Sequence, residues 1–550
     1  MTLKELFHSK SKTVAAAAVL LGGASLVSRL VGIWRDRLLS GTFGAGPELD
    51  AYYAAFRIPD LVYSLIVMGT ISAGFIPVFA AVASQERDRD GLNAEANRLV
   101  SLLLTVLGVG LAAAAAVGIV FAPRFVPLIT PGFSEETLAL TIKLTRLMFL
   151  SPVIMGLSSV FGGLLQARRR FIAYSLAPIL YNLGIIAGVV LFGRSWGIIG
   201  AAYGVLIGTV LHLAIQAVAG ARCGWRPQIL WQPADPQLRE MARLAGPRMA
   251  GLALNQVGLT VITVLASLAG AGGVAVFSLA NNLQSFPVGV VGVSFAVAAF
   301  PLIAELAARG EKDKAVAEFS RAVRSVLFLV LPATVALLLL RAQVVRVVLG
   351  SGKFDWNDTI ATADALSYLA LSLFAQSLLP LVQRTYLAFR DAATPFRVGA
   401  VALALQTGLA WWLVRRGFGP AGLGLAFSVG QVVNLAVLWV ILRRRLGSLN
   451  ESVIVKPLIV MCLSGLVMAV TVQTAKTVLG EAVNMRTFLG IFTQGAVAGT
   501  LGLGAYLLVA WRLGSEDARR LVAIYVRRRP VAPAAGAVSA PEQSDNGIVT

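Results

Sequence analysis

Apolar positions in this 550-residue chain come in long runs broken by short polar or basic stretches. A helix needs about 20 apolar residues to cross the hydrocarbon of a bilayer. That rule predicts about fourteen spanning helices, centred near 25, 65, 110, 150, 182, 208, 255, 290, 330, 372, 405, 432, 463 and 498. The alternating segments of a membrane barrel are absent, so backbone groups must be satisfied within helices. The expected fold class is an all-α polytopic membrane protein.

The loops order these spans. Those between even and odd spans carry basic clusters: Arg87 and Arg89; Arg168 to Arg170; Arg222, Arg226, Arg239 and Arg243; Arg309, Lys312 and Lys314; Arg390 and Arg397; Arg443 to Arg445. The opposite loops are poorer in charge, with Arg415 and Arg416 against the trend. The positive-inside rule then puts both termini in the cytoplasm. Lys4, Lys10 and Lys12 before an Ala/Leu-rich run imitate a signal peptide. No A-x-A site ends that run, so it reads as a retained first helix.

The chain also repeats. Gly44-Ala45-Gly46 precedes Phe75-Ile76-Pro77, and Gly270-Ala271-Gly272 precedes Phe300-Pro301, with Gly-to-Pro spacings of 33 and 31 residues. Each copy lies at the second span of a six-helix half. Halves of six spans share one orientation, so a pseudo-two-fold along the membrane normal relates them, as in transporters that rock about a central site. The expected organisation is a six-helix lobe over 1–230, a second over 231–450, two further spans over 451–513, and a basic cytoplasmic segment with a disordered tail over 514–550.

Composition agrees. The chain is 57% hydrophobic and only 13% charged, against about 25% charged in soluble proteins. Mean hydropathy is +0.78. The net charge of +20 points to topology and anionic membrane lipids rather than nucleic acid. The two cysteines, Cys223 and Cys462, and the two histidines, His8 and His212, form no metal-ligand spacing. His212 reads as a satisfied helix residue. No phosphate-binding lysine loop, nucleophile elbow or zinc-protease motif occurs, so no cofactor, metal or bound ATP is expected and the chain reads as a transporter rather than an enzyme.

Chemistry concentrates between Ser25 and Pro77, where Arg29, Arg35, Asp36, Asp50, Arg57 and Asp60 interrupt apolar runs. An arginine at mid-span costs roughly 3 kcal/mol on insertion scales, so it must face protein or a wet cavity. Guanidinium matches phosphate oxygens in a two-pronged fork. Arg29 and Arg35 lie six residues apart and diverge by about 120° on a helix. Arg29 can then face a central cavity while Arg35 pairs with Asp36 or Asp50. Arginines in an intramembrane cavity call for an anionic headgroup on a lipid-embedded molecule.

The run Ser28-Arg29-Leu30-Val31-Gly32-Ile33-Trp34-Arg35-Asp36 resembles the start of the MurJ/MviN lipid II flippases. So do Phe43-Gly44-Ala45-Gly46, Asp50-Ala51, Phe56-Arg57-Ile58-Pro59, Tyr181-Asn182, Phe286-Pro287 and Arg384 to Asp391, in the family's order. The resemblance implies a multidrug/oligosaccharidyl-lipid/polysaccharide superfamily transporter with two six-helix lobes and two extra helices. It implies alternating-access transport of an undecaprenyl-pyrophosphate-linked peptidoglycan precursor across the bacterial cytoplasmic membrane, by a monomer. It implies a substrate site of Arg29, Arg35, Asp36, Asp50, Arg57, Tyr63, Asn281 and Asn282. Arg29 and Arg35 would hold diphosphate, Asp50 would orient a cationic partner, and Asn281 and Asn282 would meet sugar or peptide. Tyr63 and Asn282 stand where the family usually places cavity arginines, Ser285 where an acid is typical, and Ile262 where some members place a cation ligand. Two other readings remain: export of a different lipid-linked glycan or amphiphile, and a non-transporting scaffold that docks cell-wall synthesis proteins on the basic face of Arg519, Arg527, Arg528 and Arg529.

Overall fold

The computed structural model describes residues 14–68, 70–83 and 92–526. Lys4, His8, Lys10 and Lys12, the loop arginines Arg87 and Arg89, and Arg527 to Arg529 with the expected tail lie outside them. Every regular element among the described residues is helical.

Helix α1 (Val14–Phe43) carries the first arginines. The second span is broken into α2 (Pro47–Ala55), α3 (Arg57–Tyr63), two π-helical segments (Ser64–Met68 and Thr70–Phe75) and α4 (Ile76–Ala83). Pro59 has no N–H to offer the Ala55 carbonyl, and the helix breaks at Phe56 between them. Next come α5 (Ala94–Ile129), α6 (Glu135–Met148), α7 (Leu150–Ala167), α8 (Phe171–Trp196) and α9 (Ile198–Arg222). The Asn93 side chain caps α5 by accepting from the Ala96 N–H at 2.6 Å. Helices α8 and α9 meet along Gly184, Gly188, Gly204 and Gly208, where an added methyl would collide with facing backbone.

The second half repeats the plan. Helix α10 (Pro236–Ser267) bends by 59° between Gly246 and Gly251. The eighth span is α11 (Gly273–Pro287), a π-helical segment (Val288–Val293) and α12 (Ser294–Ala308). Then follow α13 (Lys312–Leu339), α14 (Arg341–Leu349), α15 (Trp356–Ala370) with α16 (Leu373–Ala388) at 46° to it, α17 (Ala393–Arg415) and α18 (Gly419–Leu446). Two more long helices, α19 (Glu451–Ala482) and α20 (Phe488–Arg512), pack on each other and on α13. Helix α21 (Glu516–Val526) ends the described chain.

Among the described residues ten helices, counting α6 with α7 and α11 with α12 as one each, are long and apolar enough to cross a membrane, or up to twelve if each of two bent pairs is one span. Helix α1 and the broken second span carry the charges noted above and occupy the first two expected positions. Each of the fourteen expected centres falls within this succession, which is compatible with fourteen spans. The protein is a multi-pass, all-α membrane protein. Arg415 and Arg416, contrary to the loop trend, lie over Trp411 and Trp412 at 4.2 and 5.2 Å, a contact that holds a cation beside an apolar surface.

One apolar core crosses between the halves: Leu39, Leu49 and Tyr52 pack with Leu265, Phe277 and Leu349. Part of the segment expected to be basic surface is anchored instead. The largely buried Arg324 of α13 pairs with Asp517 and Glu516 at 3.0 Å each, and Ala518 is fully buried. Arg519 and Arg520 remain exposed. His212 is buried and shares a hydrogen bond with Ser158 at 2.7 Å. Cys223 is buried and Cys462 exposed, and no disulfide joins them.

Candidate substrate site between the two lobes

Arg35 sets the centre of the site. Its Nε and Nη2 donate to Asp36 Oδ1 at 3.0 and 2.7 Å, and its Nη1 donates to Asn182 Oδ1 on α8 at 2.8 Å. The other oxygen of Asp36 accepts from Asn282 Nδ2 on α11 at 3.0 Å. Three helices from both lobes therefore meet at one ion pair. Asp36 and Asn182 are buried. Removing one partner from such a pair leaves an uncompensated charge at a cost of about 3–5 kcal/mol. Of the two acids expected to pair with Arg35, Asp36 does and Asp50 does not.

Arg29, six residues earlier on α1, reaches across to the second lobe. A methyl on Gly289, in the π-helical segment after α11, would lie 2.6 Å from Arg29 Cζ. The guanidinium thus rests on bare backbone of the opposite half and does not point at lipid tails.

Asp50 has an employment the sequence reading did not foresee. Its oxygens accept from the backbone N–H groups of Gly272 and Ala275 at 2.6 and 2.7 Å. These are among the unpaired donors that begin α11, where the helix dipole favours negative charge. The carboxylate of one lobe caps a helix of the other instead of waiting for a cationic partner. The neighbouring backbone closes the same end. Ala45 N donates to Asp358 Oδ2 at 3.0 Å, Lys353 N to Gly41 O at 2.8 Å, and Ser40 Oγ to Leu349 O at 3.0 Å. The end of the molecule bearing both Gly-Ala-Gly turns is shut.

The remaining expected residues are spread along the lobe junction. Arg57 Nε donates to Thr263 Oγ1 on α10 at 2.7 Å. Tyr63 turns into its own lobe and shares a hydrogen bond with Ser159 at 2.8 Å. Asn281 Oδ1 accepts from Gln284 Nε2 at 3.1 Å, and Gln284 exchanges amide hydrogen bonds with Gln376 at 3.2 and 3.0 Å. Gln256 of α10 donates to the Asp60 carbonyl at 3.0 Å and to Ser64 Oγ at 2.8 Å. Asp60 and Ser285 are exposed although both lie in mid-span segments. A carboxylate is not tolerated against hydrocarbon, so the surface there is aqueous and belongs to a cleft.

The structure thus gathers Arg35, Asp36 and Asn282, places Arg29 beside Gly289, and gives Asp50, Arg57, Tyr63 and Asn281 separate partners. Sequence reading missed Asn182, Gln256, Thr263, Gln284 and Gln376 as members of the junction. Asn182 stood in the Tyr181-Asn182 motif of the resemblance without a role; the signal of the others was an amide or hydroxyl inside an apolar run, which also fits an ordinary satisfied helix residue. Among the described residues, no group of three or more His, Cys, Asp or Glu side chains could hold a metal ion.

The family model described as "Lipid II flippase MurJ" matches residues 39–495. The chain belongs to the MurJ lipid II flippase family. A relative from Rhizobium tropici, described as a probable lipid II flippase MurJ, is 29% identical over 533 residues, covering 94% of this chain and 98% of its own. A solved structure described as lipid II flippase MurJ in an inward closed conformation superposes with a TM-score of 0.74 at 21% identity, over 92% of this chain and all of that one. A solved structure described as an inward-facing multidrug resistance MATE family transporter of the MOP superfamily superposes with a TM-score of 0.64 at 17% identity, over 79% of this chain and 99% of that one. At these identities the two superpositions speak for the fold. Arg29, Arg35, Asp36 and Asn282 lie where the two halves of this chain meet.

Proposed function

We propose that this MurJ-family protein flips lipid II, an undecaprenyl-pyrophosphate-linked peptidoglycan precursor, from the inner to the outer leaflet of the bacterial cytoplasmic membrane by alternating access. The observation that carries this reading is the Arg35–Asp36 pair held between Asn182 of one lobe and Asn282 of the other. A diphosphate entering the cleft can take the guanidinium fork of Arg35 in exchange for its present acceptors, and Arg29 supplies a second cation from the same helix. Releasing Asp36 and Asn282 loosens a contact between lobes, so headgroup binding and lobe separation are linked. Asn281 and Asn282 offer neutral hydrogen bonds to sugar or peptide, and the polyprenyl tail stays in lipid. Asp50 serves the cycle as the latch that shuts the Gly-Ala-Gly end, and Arg57 as a strut to α10. The basic loops place both termini in the cytoplasm and contact anionic lipids there. The protein acts as a monomer that needs no cofactor, and the exposed Arg519 and Arg520 give cell-wall synthesis proteins a basic surface.

The test is to deplete the principal flippase of a host cell and express this chain. Restored outer-leaflet precursor, lost again in Arg35→Ala, is the expected result. No rescue at normal expression removes lipid II as the substrate. One observation favours a second reading, export of another lipid-linked glycan: Tyr63, where the family resemblance implies a cavity arginine, bonds Ser159 rather than facing the junction. Native mass spectrometry of the purified protein separates the two by the polyprenyl-linked headgroup that co-purifies.

A further inference from the structure

Asp60 has no place in the site just described, yet its setting is unusual. It lies one turn from Arg57 on α3, in the middle of the broken second span, and is exposed to the cleft. No hydrogen bond or ion pair to its carboxylate occurs among the described residues. The other two acids at this depth are both engaged, Asp36 by Arg35 and Asn282, and Asp50 by the start of α11. The nearest cation, Arg57, turns to Thr263 of the opposite lobe instead. Immediately beyond Tyr63 the backbone goes π-helical, with its hydrogen-bond ladder shifted, a feature common at functional sites. Gln256 of α10 clamps that same stretch through the Asp60 carbonyl and Ser64.

We propose that Asp60 is a proton-binding site whose occupancy decides whether Arg57 braces the two lobes together or pairs within its own helix. With Asp60 neutral, Arg57 has no acceptor on α3 and bonds Thr263 across the junction. With Asp60 ionised, the carboxylate three residues along the helix competes for the same guanidinium, since i,i+3 ion pairs lie on one face. Thr263 then loses its donor, and α10 keeps only the Gln256 contacts to that stretch. Proton binding therefore favours the closed junction and proton release the open one, as linkage requires when one state binds the ligand better. The ionisable groups within electrostatic range of Asp60 are Arg57 and Tyr63 on α3, Tyr52 on α2 and Tyr181 on α8. Helices α7 and α10 present uncharged Ser159, Gln256 and Thr263. Hard metal cations want about six or more oxygen ligands, carboxylates prominent among them, whereas Asp60 stands beside the Arg57 cation and no cluster of three or more acidic, His or Cys side chains occurs among the described residues, so the cation that fits is a proton.

The inference rests on the alternating-access part of the proposed function but not on the identity of the lipid. The test therefore reads lobe separation rather than transport. Spin labels at Arg169→Cys and Arg309→Cys, both exposed and on different lobes, are placed in the full chain carrying Cys462→Ser, in nanodiscs. From pH 5 to pH 8 the inter-label distance lengthens, Asp60→Asn keeps the short distance throughout, and Asp60→Glu restores the response. Thr263→Val, which leaves Asp60 intact, moves the midpoint to lower pH by half a unit or more, because the closed state has lost its bond. A distance that ignores pH in the wild-type chain, or that follows pH equally in Asp60→Asn, overturns the proposal. So does a response that needs sodium and vanishes in choline. An intact pH response without lipid II rescue would strike the substrate assignment alone.

Discussion

The second span of each half makes an instructive pair. Both begin after a Gly-Ala-Gly turn, both contain a Phe-Pro step or its variant Phe-Arg-Ile-Pro, and both pass into π-helix soon after that proline, at Ser64 in the first half and Val288 in the second. The π-helical stretch is repeated, and in each copy it follows a proline, which offers no N–H to the α-helical ladder. The chemistry is not. The first copy carries Asp50, Arg57 and Asp60, and the second carries Asn281, Asn282, Gln284 and Ser285. Charge from one lobe meets amides and bare backbone from the other: Asp36 meets Asn282, Asp50 meets the N–H groups of Gly272 and Ala275, and Arg29 meets Gly289. A neutral partner surface can hold a charged one without locking it, since a hydrogen bond to a charged group contributes about 1.5–3 kcal/mol, less than the cost of about 3–5 kcal/mol for breaking a buried ion pair. Lobes that must part and rejoin need such an interface.

That asymmetry can be broken by substitution. The largest effect is expected for Arg35→Ala, which strands Asp36 among neutral groups. A loss of about 3–5 kcal/mol should appear as a large drop in the thermal unfolding midpoint in detergent. Asp36→Asn in the same chain should recover part of it, because the unpaired charge is then gone. Asp50→Ala comes next, removing two charge-assisted bonds to the start of α11 for about 3 kcal/mol. Spin labels flanking the two Gly-Ala-Gly turns should then report separation at that end while the other end keeps its spacing. Unchanged spacing would deny Asp50 its role as a latch.

Gly289→Ala is expected to cost about 1 kcal/mol, the low end of overpacking because the end of the flexible Arg29 side chain can shift, and Arg29→Ala in the same chain should relieve it. Additive losses would mean that Arg29 does not rest there. The smallest effect belongs to a pair away from the junction. Burial tends to raise the Asp235 carboxyl, but hydrogen bonds from Arg98 and the Gln237 N–H outweigh it and hold the group below the usual aspartate range. A lowered value contributes stability above the unfolded value of about 3.9 and loses it as the pH falls through the folded one. Arg98→Ala should therefore destabilise by about 1 kcal/mol or less at pH 7, and by progressively less as the pH falls below the usual aspartate range.

What the sequence determined by itself was local. Runs of about twenty apolar residues set where helices lie, basic loops set an expected orientation, and proline and glycine marked the broken spans, all within a window of a few turns. The need for arginines inside the membrane to face something polar was legible too. Which partner each would find was not. Asn182 lies 147 residues from Arg35, and Asn282 lies 246 residues from Asp36, so their meeting depends on how the lobes close. Asp50 shows the limit most plainly. A carboxylate inside an apolar run reads as a ligand for a cation, but the tertiary fold delivered the exposed N–H groups of a helix start, and those donors were nearer.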